Sequence, residues 1–291
     1  TVQTLCNTLI LKGKKGKGMK KKLTVNDFKR YMEESRKWTW TICYDYTMAS
    51  IVDESQTEMI LVGDSLGNVM LGLETTLPVT IEMMIHHIKA VVKGAPNTFV
   101  IGDMPYGTYN VSCEQAITTA NRIMQEGGCD CVKLEGGATV ADKIAAIVRS
   151  GTPVVGHIGL TPQSISALGG YKVQGVSKLA ADKLLADAQA VADAGAFALN
   201  LECIPSVVAK RITETIGIPT LGIGAGPHCH CQELNLYDLC GLFDDFKPKF
   251  VKRYAELRKP IIDALNAFYE ETINETFPTP EYSYNAKVEG Y

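Results

Sequence analysis

The sequence lacks several features that identify large classes of protein. None of its apolar runs approaches the roughly 18–20 residues needed to span a bilayer, so no membrane segment is predicted. Its nine cysteines form no C-x-x-C pair, which is typical of reduced thiols in a cytoplasmic protein rather than of a disulfide framework. The Gly-rich fingerprint of nucleotide-binding proteins is also missing. The run GIGAG at 222–226 could bind an anion, but by itself it is weak evidence for such a site.

Acidic residues are absent from positions 1–22, which hold seven Lys. Such an arm could bind nucleic acid or anionic lipid, but we interpret it as a disordered, solvated extension. The whole chain carries a net charge of −3, so the remainder is acidic, which argues against nucleic acid as a main partner. We therefore predict an extension over 1–22 and a single domain over 23–291.

Strand-like apolar runs alternate with helical patterns along the chain. The alternation predicts a parallel sheet, and the number of runs favours a closed (β/α)8 barrel, or TIM barrel, over an open doubly wound sheet. An eighth strand, within 232–243, has only a weak signal. The seven clear runs are 39–45, 59–64, 97–103, 130–136, 153–159, 197–203 and 219–226.

Two helices are predicted outside this repeat. Thr24 and Asp27 form a candidate capping box for a helix near the start of the domain. Pro260 could open a C-terminal helix that carries Ile261, Leu265 and other apolar residues on one face. Either helix is expected to plug the bottom of the barrel or to serve an oligomer contact.

Three acidic residues follow three successive strand-like runs. They are Asp64, Asp103 and Glu135, each separated from the next by about one strand–helix unit. A carboxylate buried at a strand end is costly unless a cation neutralises it, so three that converge there indicate a hard divalent metal at the catalytic face of a barrel. The alternative is that all three are unrelated helix N-caps, since Asp favours strand-to-helix turns.

Two further residues of this region could contact a substrate. Lys133 lies two positions before Glu135 on one predicted strand, so both side chains point to the same face. The Lys133 ammonium could form a structural ion pair or hold an anionic substrate. Ser65 directly follows Asp64, and its backbone N–H and hydroxyl could bind a carboxylate.

His157 and Glu202 end the fifth and sixth predicted strands. A lone His on an apolar strand is often a core residue, but its place at the catalytic end makes a role in the site an equal alternative. Glu202 has no basic neighbour in sequence and is well placed to be a general base. The run His228-Cys229-His230-Cys231 suggests zinc, but alternate residues on a short segment diverge, so we do not predict a zinc site.

Several long strings in the sequence are similar to those of one enzyme family, ketopantoate hydroxymethyltransferase, from about residue 23 to about residue 283. The strings are LVGDSLGNVMLG (61–72), TLPVT (76–80), MIHHIKAV (84–91), GDMPYGTY (102–109), VKLEGG (132–137), GHIGLTPQS (156–164), GGYKVQG (169–175), LECIP (201–205), IPTLGIGAG (218–226) and FKPKFVKRY (246–254).

The resemblance implies a barrel of the phosphoenolpyruvate/pyruvate superfamily that moves a one-carbon unit from 5,10-methylenetetrahydrofolate to 2-oxoisovalerate, giving ketopantoate on the route to pantothenate and coenzyme A. It further implies Mg²⁺ around Asp64, Asp103 and Glu135, in part through water, with the 2-oxo acid chelating the metal. It also implies a large homo-oligomer, a decamer.

The resemblance also assigns roles to the other site residues. It implies that Ser65 and Lys133 contact the 2-oxo acid, that His157 lies in the pocket and that Glu202 is the base. The segment 228–239 departs from the family pattern, because Glu233 and Asn235 stand where apolar residues are usual. We expect these two side chains to face solvent or a subunit contact, leaving Leu234, Leu236 and Leu239 to cover the barrel.

Three other functions are weighed against this one. A lyase or mutase acting on 2-oxo acids is the first, but the K-[KR]-C-G-H loop of such lyases is missing here. A non-catalytic barrel is the second, suggested by the divergent segment, and the carboxylates and Glu202 argue against it. A nucleic-acid binder that uses the lysine arm is the third.

Overall fold

Eight parallel strands close into a barrel in which each strand pairs with the next along the chain. The computed structural model describes residues 20–286 and 288–290, so most of the predicted basic extension, residues 1–19, lies outside the described residues. The predicted (β/α)8 fold is confirmed. The strands are β1 Trp38–Ile42, β2 Met59–Val62, β3 Phe99–Asp103, β4 Cys131–Glu135, β5 Val154–Gly159, β6 Ala198–Glu202, β7 Thr220–Ile223 and β8 Cys231–Asn235.

Helices connect the strands, and short polar side chains begin them. Asp45, Thr80, Ser112 and Ser177 each accept a hydrogen bond from a backbone N–H in the first turn of the helix that follows. The α-helices are α1 Val25–Glu33, α2 Tyr46–Glu54, α3 Leu66–Val69, α4 Ile81–Gly94, α5 Cys113–Arg122, α6 Ala141–Arg149, α7 Ile165–Leu168, α8 Lys178–Asp193, α9 Ser206–Thr215, α10 Leu236–Leu239 and α11 Arg258–Ile273. Across the described residues, no helix has both the length and the apolar character needed to cross a bilayer.

The amino-terminal end of the barrel is closed by aromatic side chains from α1. The predicted capping box is confirmed, since the Asp27 carboxylate accepts hydrogen bonds from both the backbone N–H and the hydroxyl of Thr24. Phe28 of this helix packs 5.2 Å from Phe99 and 5.7 Å from Trp38, measured between ring centroids, at the starts of β3 and β1. Helix α1 is therefore the plug that the sequence predicted for one of the two outer helices.

The chain packs as two compact units, the first ending at Glu233 and the second beginning at Leu234. In the second unit, α11 begins two residues before Pro260 and has no buried side chain. Arg253 holds the segment before it by ion pairs to Asp244 at 2.6 Å and Glu256 at 3.1 Å. The single-domain assignment over 23–291 stays a prediction.

Strand register places alternate side chains inside the barrel. Asp103 on β3 stands opposite Lys133 on β4, and Glu135 on β4 stands opposite His157 on β5. Further round, Gly159 on β5 stands opposite Glu202 on β6. Since neighbours in a parallel sheet point to the same face, the charged residues line one end of the barrel, where the strands finish.

The predicted orientation of the side chains at the eighth strand, with Glu233 and Asn235 facing solvent or a subunit contact, is wrong. Glu233 is only 4% exposed and Asn235 is buried, whereas the three leucines meant to cover the barrel are half-buried. The register of β7, in which Leu221 stands opposite Cys231, turns Cys231 and Glu233 inward together. Asn235 ends the strand and caps α10 by accepting a hydrogen bond from the Tyr237 backbone N–H.

The buried Glu233 carboxyl predicts a pH-dependent stability difference. Burial, with Glu202 as the next contributor, raises the pKa of Glu233 from 4.5 to about 8. The folded state therefore holds this proton more tightly than the unfolded state, so its stabilising effect is complete below about pH 4.5 and is lost as pH rises to about 8. We expect Glu233→Gln, which keeps the shape and cannot ionise, to gain stability over the parent by roughly 1.4 kcal/mol per pH unit in that window.

The measurement is urea unfolding of both proteins from about pH 5 to about pH 8. The exposed Glu33 serves as the control, because Glu33→Gln removes an acid that water already solvates. A stability difference between parent and Glu233→Gln that does not change with pH would contradict the prediction.

Candidate active site

The acidic residues predicted from sequence converge at the carboxyl ends of the strands. Asp103, Glu135 and Glu202 are the last residues of β3, β4 and β6, and Asp64 comes two residues after β2. Asp64, Asp103 and Glu135 are all buried, and the Asp64 backbone N–H donates to Asp103 Oδ2 at 3.2 Å. These carboxylates are not helix caps, because the caps that follow them are other residues, Ser65, Ser112 and Gly137.

The cluster holds more negative than positive charge. Burial raises the pKa of Asp64 well above its usual value, and the neighbouring Asp103 and Glu135 carboxylates raise it further. Burial also raises the pKa of Asp103, although Lys133 opposes the shift. A positive charge in this pocket would therefore stabilise the ionised carboxylates.

Lys133 is the buried cation of the cluster. Its Nζ lies 3.0 Å from Asp103 Oδ1 and 3.4 Å from His157 Nδ1. Burial lowers the pKa of Lys133, but Asp103, Glu135 and Asp64 together outweigh this and raise it above its usual value. Lys133 is thus an ion-pair partner of Asp103 in a pocket that a substrate anion could also enter.

His157 connects two of the carboxylates. Its Nδ1 lies 3.5 Å from Glu135 Oε1, and its Nε2 lies 3.1 Å from Glu202 Oε2. Burial and Lys133 lower the pKa of His157, but the two carboxylates outweigh them and raise it to about 9. His157 therefore carries a positive charge at neutral pH. The contact with Glu202 is an ion pair without hydrogen-bond geometry at Nε2.

Glu202 differs from the other carboxylates in its surroundings. Its side chain is 17% exposed, whereas that of Glu135 is 2% exposed. It stands on β6, away from the strands that carry the other three acids. The geometry thus leaves Glu202 as the carboxylate at the open side of the cluster.

Gln163, which the sequence analysis did not single out, organises the centre of the site. Its backbone N–H donates to Glu135 Oε2 at 2.9 Å, and its Nε2 donates to Asp64 Oδ2 at 2.9 Å. The Tyr109 hydroxyl donates to Gln163 Oε1 at 2.6 Å. Gln163 lies in the quoted string GHIGLTPQS, but a neutral amide carries no sign of its role in a sequence.

The remaining predicted residue, Ser65, lies at the start of α3. Its hydroxyl forms a hydrogen bond of 2.8 Å with the hydroxyl of Tyr44, which lies between β1 and α2. The exposed Tyr171 is also close enough to Asp64, Glu202 and Glu135 for their charges to raise its pKa, after partial burial as the main cause. Ser65 and Tyr171 therefore border the mouth of the site.

The donor set fits a magnesium ion in chemistry. Asp64 and Asp103 supply hard carboxylate oxygens in a pocket with excess negative charge. Within residues 20–286 and 288–290, no three His, Cys, Asp or Glu side chains are spaced to hold a metal by themselves. Mg²⁺ is usually bound through one or two carboxylates and completes its shell with water and substrate oxygens, so ligation by Asp64 and Asp103 stays a prediction. Glu135, held by Gln163 and His157, stays a predicted ligand.

The chain is similar in sequence to members of one enzyme family over most of its length. A sequence model of the family described as ketopantoate hydroxymethyltransferase matches residues 22–280. The 3-methyl-2-oxobutanoate hydroxymethyltransferase of Heliobacterium modesticaldum is 51% identical over 266 residues, covering 91% of this chain and 96% of that protein. The protein of the same name from Carboxydothermus hydrogenoformans is 47% identical over 268 residues, covering 92% and 97%.

Solved structures with the same fold are more distant in sequence. A phosphonopyruvate hydrolase in complex with oxalate and Mg²⁺ superposes with a TM-score of 0.58 at 10% identity, covering 89% of this chain and 93% of that one. A 2,3-dimethylmalate lyase gives a TM-score of 0.54 at 16% identity, covering 89% and 93%. These similarities support the barrel fold alone.

The bridging amide of Gln163 predicts a stability effect. In Gln163→Leu, Asp64 Oδ2 and the Met104 carbonyl lose their shared donor inside the protein. We expect a loss of about 1–3 kcal/mol, because buried acceptors are left without partners. Thermal unfolding measures this loss, with Gln189→Leu as the control, since Gln189 bonds Asp193 on the exposed face of α8. Equal melting temperatures for the two variants would contradict the bridging role.

Proposed function

The chain belongs to the ketopantoate hydroxymethyltransferase family and is a one-carbon transferase, and on this premise we propose its reaction in detail. A hydroxymethyl group passes from 5,10-methylenetetrahydrofolate to 2-oxoisovalerate, water supplies the hydroxyl oxygen, and ketopantoate and tetrahydrofolate leave. The observation that carries the mechanism is that Glu202 stands apart from the buried carboxylates, on a different strand and more exposed.

Substrate binding follows from the charges of the site. The carboxylate of 2-oxoisovalerate is attracted to Lys133, whose ammonium already pairs with Asp103, and to the Ser65 N–H and hydroxyl. Mg²⁺ held by Asp64 and Asp103 supplies, when bound, a positive charge near the keto oxygen where negative charge develops. Gln163 keeps Asp64 and Glu135 in place by its two hydrogen bonds.

Proton removal is assigned to Glu202. It takes the proton from C3 of 2-oxoisovalerate, and the electron pair of that bond moves toward the keto oxygen as the enolate forms. The positively charged His157 lies 3.1 Å from Glu202 Oε2 and holds the carboxylate in place beside the substrate site. The enolate carbon then bonds to the methylene carbon as one of its two bonds to folate nitrogen breaks, and a water oxygen afterwards replaces the second nitrogen. The electron pairs of both broken bonds stay on the folate nitrogens, which take up the proton from Glu202 and one proton of the water.

The cellular location, the oligomeric state and the partners of the enzyme are proposed from its cysteines and its exposed apolar side chains. We propose a cytoplasmic setting, supported by eight free cysteine thiols among the described residues. We also propose a homo-oligomer, supported by the exposed apolar side chains of α11, such as Leu265 and Phe268. The partners in the reaction are small molecules, with neither nucleic acid nor membrane required.

The direct test of the proposed function is product formation. We expect ketopantoate from 2-oxoisovalerate and 5,10-methylenetetrahydrofolate in the presence of Mg²⁺, and little without the metal. Mg²⁺ should also raise the melting temperature of the parent, and Asp64→Asn should lose both effects because it removes a carboxylate ligand. The control is Asp182→Asn, on the exposed face of α8. Failure of the parent to form ketopantoate would overturn the proposal.

The role of Glu202 has a separate test that needs no folate. Exchange of the C3 proton of 2-oxoisovalerate with deuterated solvent, followed by NMR, requires only the substrate, the metal and the base. We expect Glu202→Gln to slow this exchange by about 10²- to 10⁴-fold while 2-oxoisovalerate still binds. Parental exchange rates in the variant would show that another group removes the proton.

A further inference from the structure

Glu233 is a fifth carboxyl group in the barrel, and the mechanism above does not use it. It lies on β8 with its side chain turned inward, and it is 4% exposed. Its Oε2 and the indole Nε1 of Trp40 on β1 have no partner with hydrogen-bond geometry in the described protein, although Trp40 is close enough to lower the pKa of Glu233 slightly against the effect of burial. An ionised carboxylate in such surroundings is costly, so Glu233 is held as the neutral acid near pH 7.

The register places Glu233 close to the proposed base. Leu221 on β7 stands opposite Cys231, and Ile223, two residues after Leu221, stands opposite Glu202. Glu233 lies two residues after Cys231, so strand alternation turns it to the same face as Ile223 and Glu202. Glu233 and Glu202 are thus two strands apart on one row of the barrel, roughly 10 Å between backbones.

The charged groups that face Glu233 come from three other strands. Glu202 on β6 raises the pKa of Glu233, after burial as the main cause, while Lys133 on β4 and His157 on β5 lower it. On β8 itself, the nearest titratable neighbour is the buried Cys231 thiol. None of these groups forms an ion pair with Glu233, so its charge would act on the whole pocket.

We propose that Glu233 sets the pH range over which the site binds anionic 2-oxo acids: the neutral acid permits binding, and the carboxylate opposes it. The inference rests on the proposed function, because it assumes a 2-oxo acid carboxylate beside Lys133. Ionised Glu233 adds negative charge to a pocket that already has an excess, inside a barrel where the low dielectric strengthens repulsion. The proton on Glu233 therefore acts on substrate affinity without taking part in bond making or breaking.

The test is the dissociation constant of 2-oxoisovalerate, measured by calorimetry on the full chain with Mg²⁺ present. Between about pH 7 and about pH 9, we expect the Kd of the parent to rise by about tenfold more than that of Glu233→Gln, whose side chain cannot ionise. The Kd of Glu33→Gln should follow that of the parent, because it removes an exposed acid of α1. Any rise in the Kd of Glu233→Gln over the same pH range measures the effect of His157 and the other groups that titrate.

A second measurement detects the proton itself. The infrared difference between parent and Glu233→Gln near pH 7 should contain the carbonyl stretch of a neutral carboxylic acid, and the band should disappear near pH 9. Binding with the same pH dependence in parent and Glu233→Gln, or a carboxylate band near pH 7, would overturn this inference and leave the proposed function intact. No binding by the parent at any pH would overturn the proposed function and this inference with it.

Discussion

The ion pair between Lys133 and Asp103 is the interaction on which the site depends. Their atoms lie 3.0 Å apart, and both side chains are almost fully buried. Without the Lys133 ammonium, the buried Asp64 and Asp103 would lose the positive charge that opposes the rise in their pKa, so both would take up protons more readily. The pair neutralises part of the negative charge of the pocket, and the negative charge that remains supports the proposed binding of a divalent cation.

The barrel and the convergence of its acids could be predicted from the sequence because both depend on local patterns. The alternation of apolar runs and helices is visible in any window of the chain, and a residue at the end of a parallel strand necessarily faces the same rim as its neighbours. Lys133 and Glu135 were paired by strand parity alone, and both contribute to the electrostatics of Asp64.

The residues that sequence reasoning missed depend on contacts between distant segments. Gln163 is 99 positions from Asp64, and nothing near it in the chain shows that its amide reaches that carboxylate. The inward turn of Glu233 follows from the register with β7, whereas the hydrophobicity of 228–239 suggested the opposite face. The charge of His157 is likewise set by Glu135 and Glu202, which come from two other strands.

The aromatic plug of α1 has a consequence for the order of events in catalysis. Because Phe28 and its neighbours fill the amino-terminal end of the barrel, reactants and products pass through the rim that carries the carboxylates. If two reactants enter by the same opening, one of them binds deeper in the site than the other. The reactant that binds nearer the carboxylates has to enter first. In the proposed reaction, 2-oxoisovalerate is then the first substrate to bind and the folate the second, so tetrahydrofolate leaves before ketopantoate.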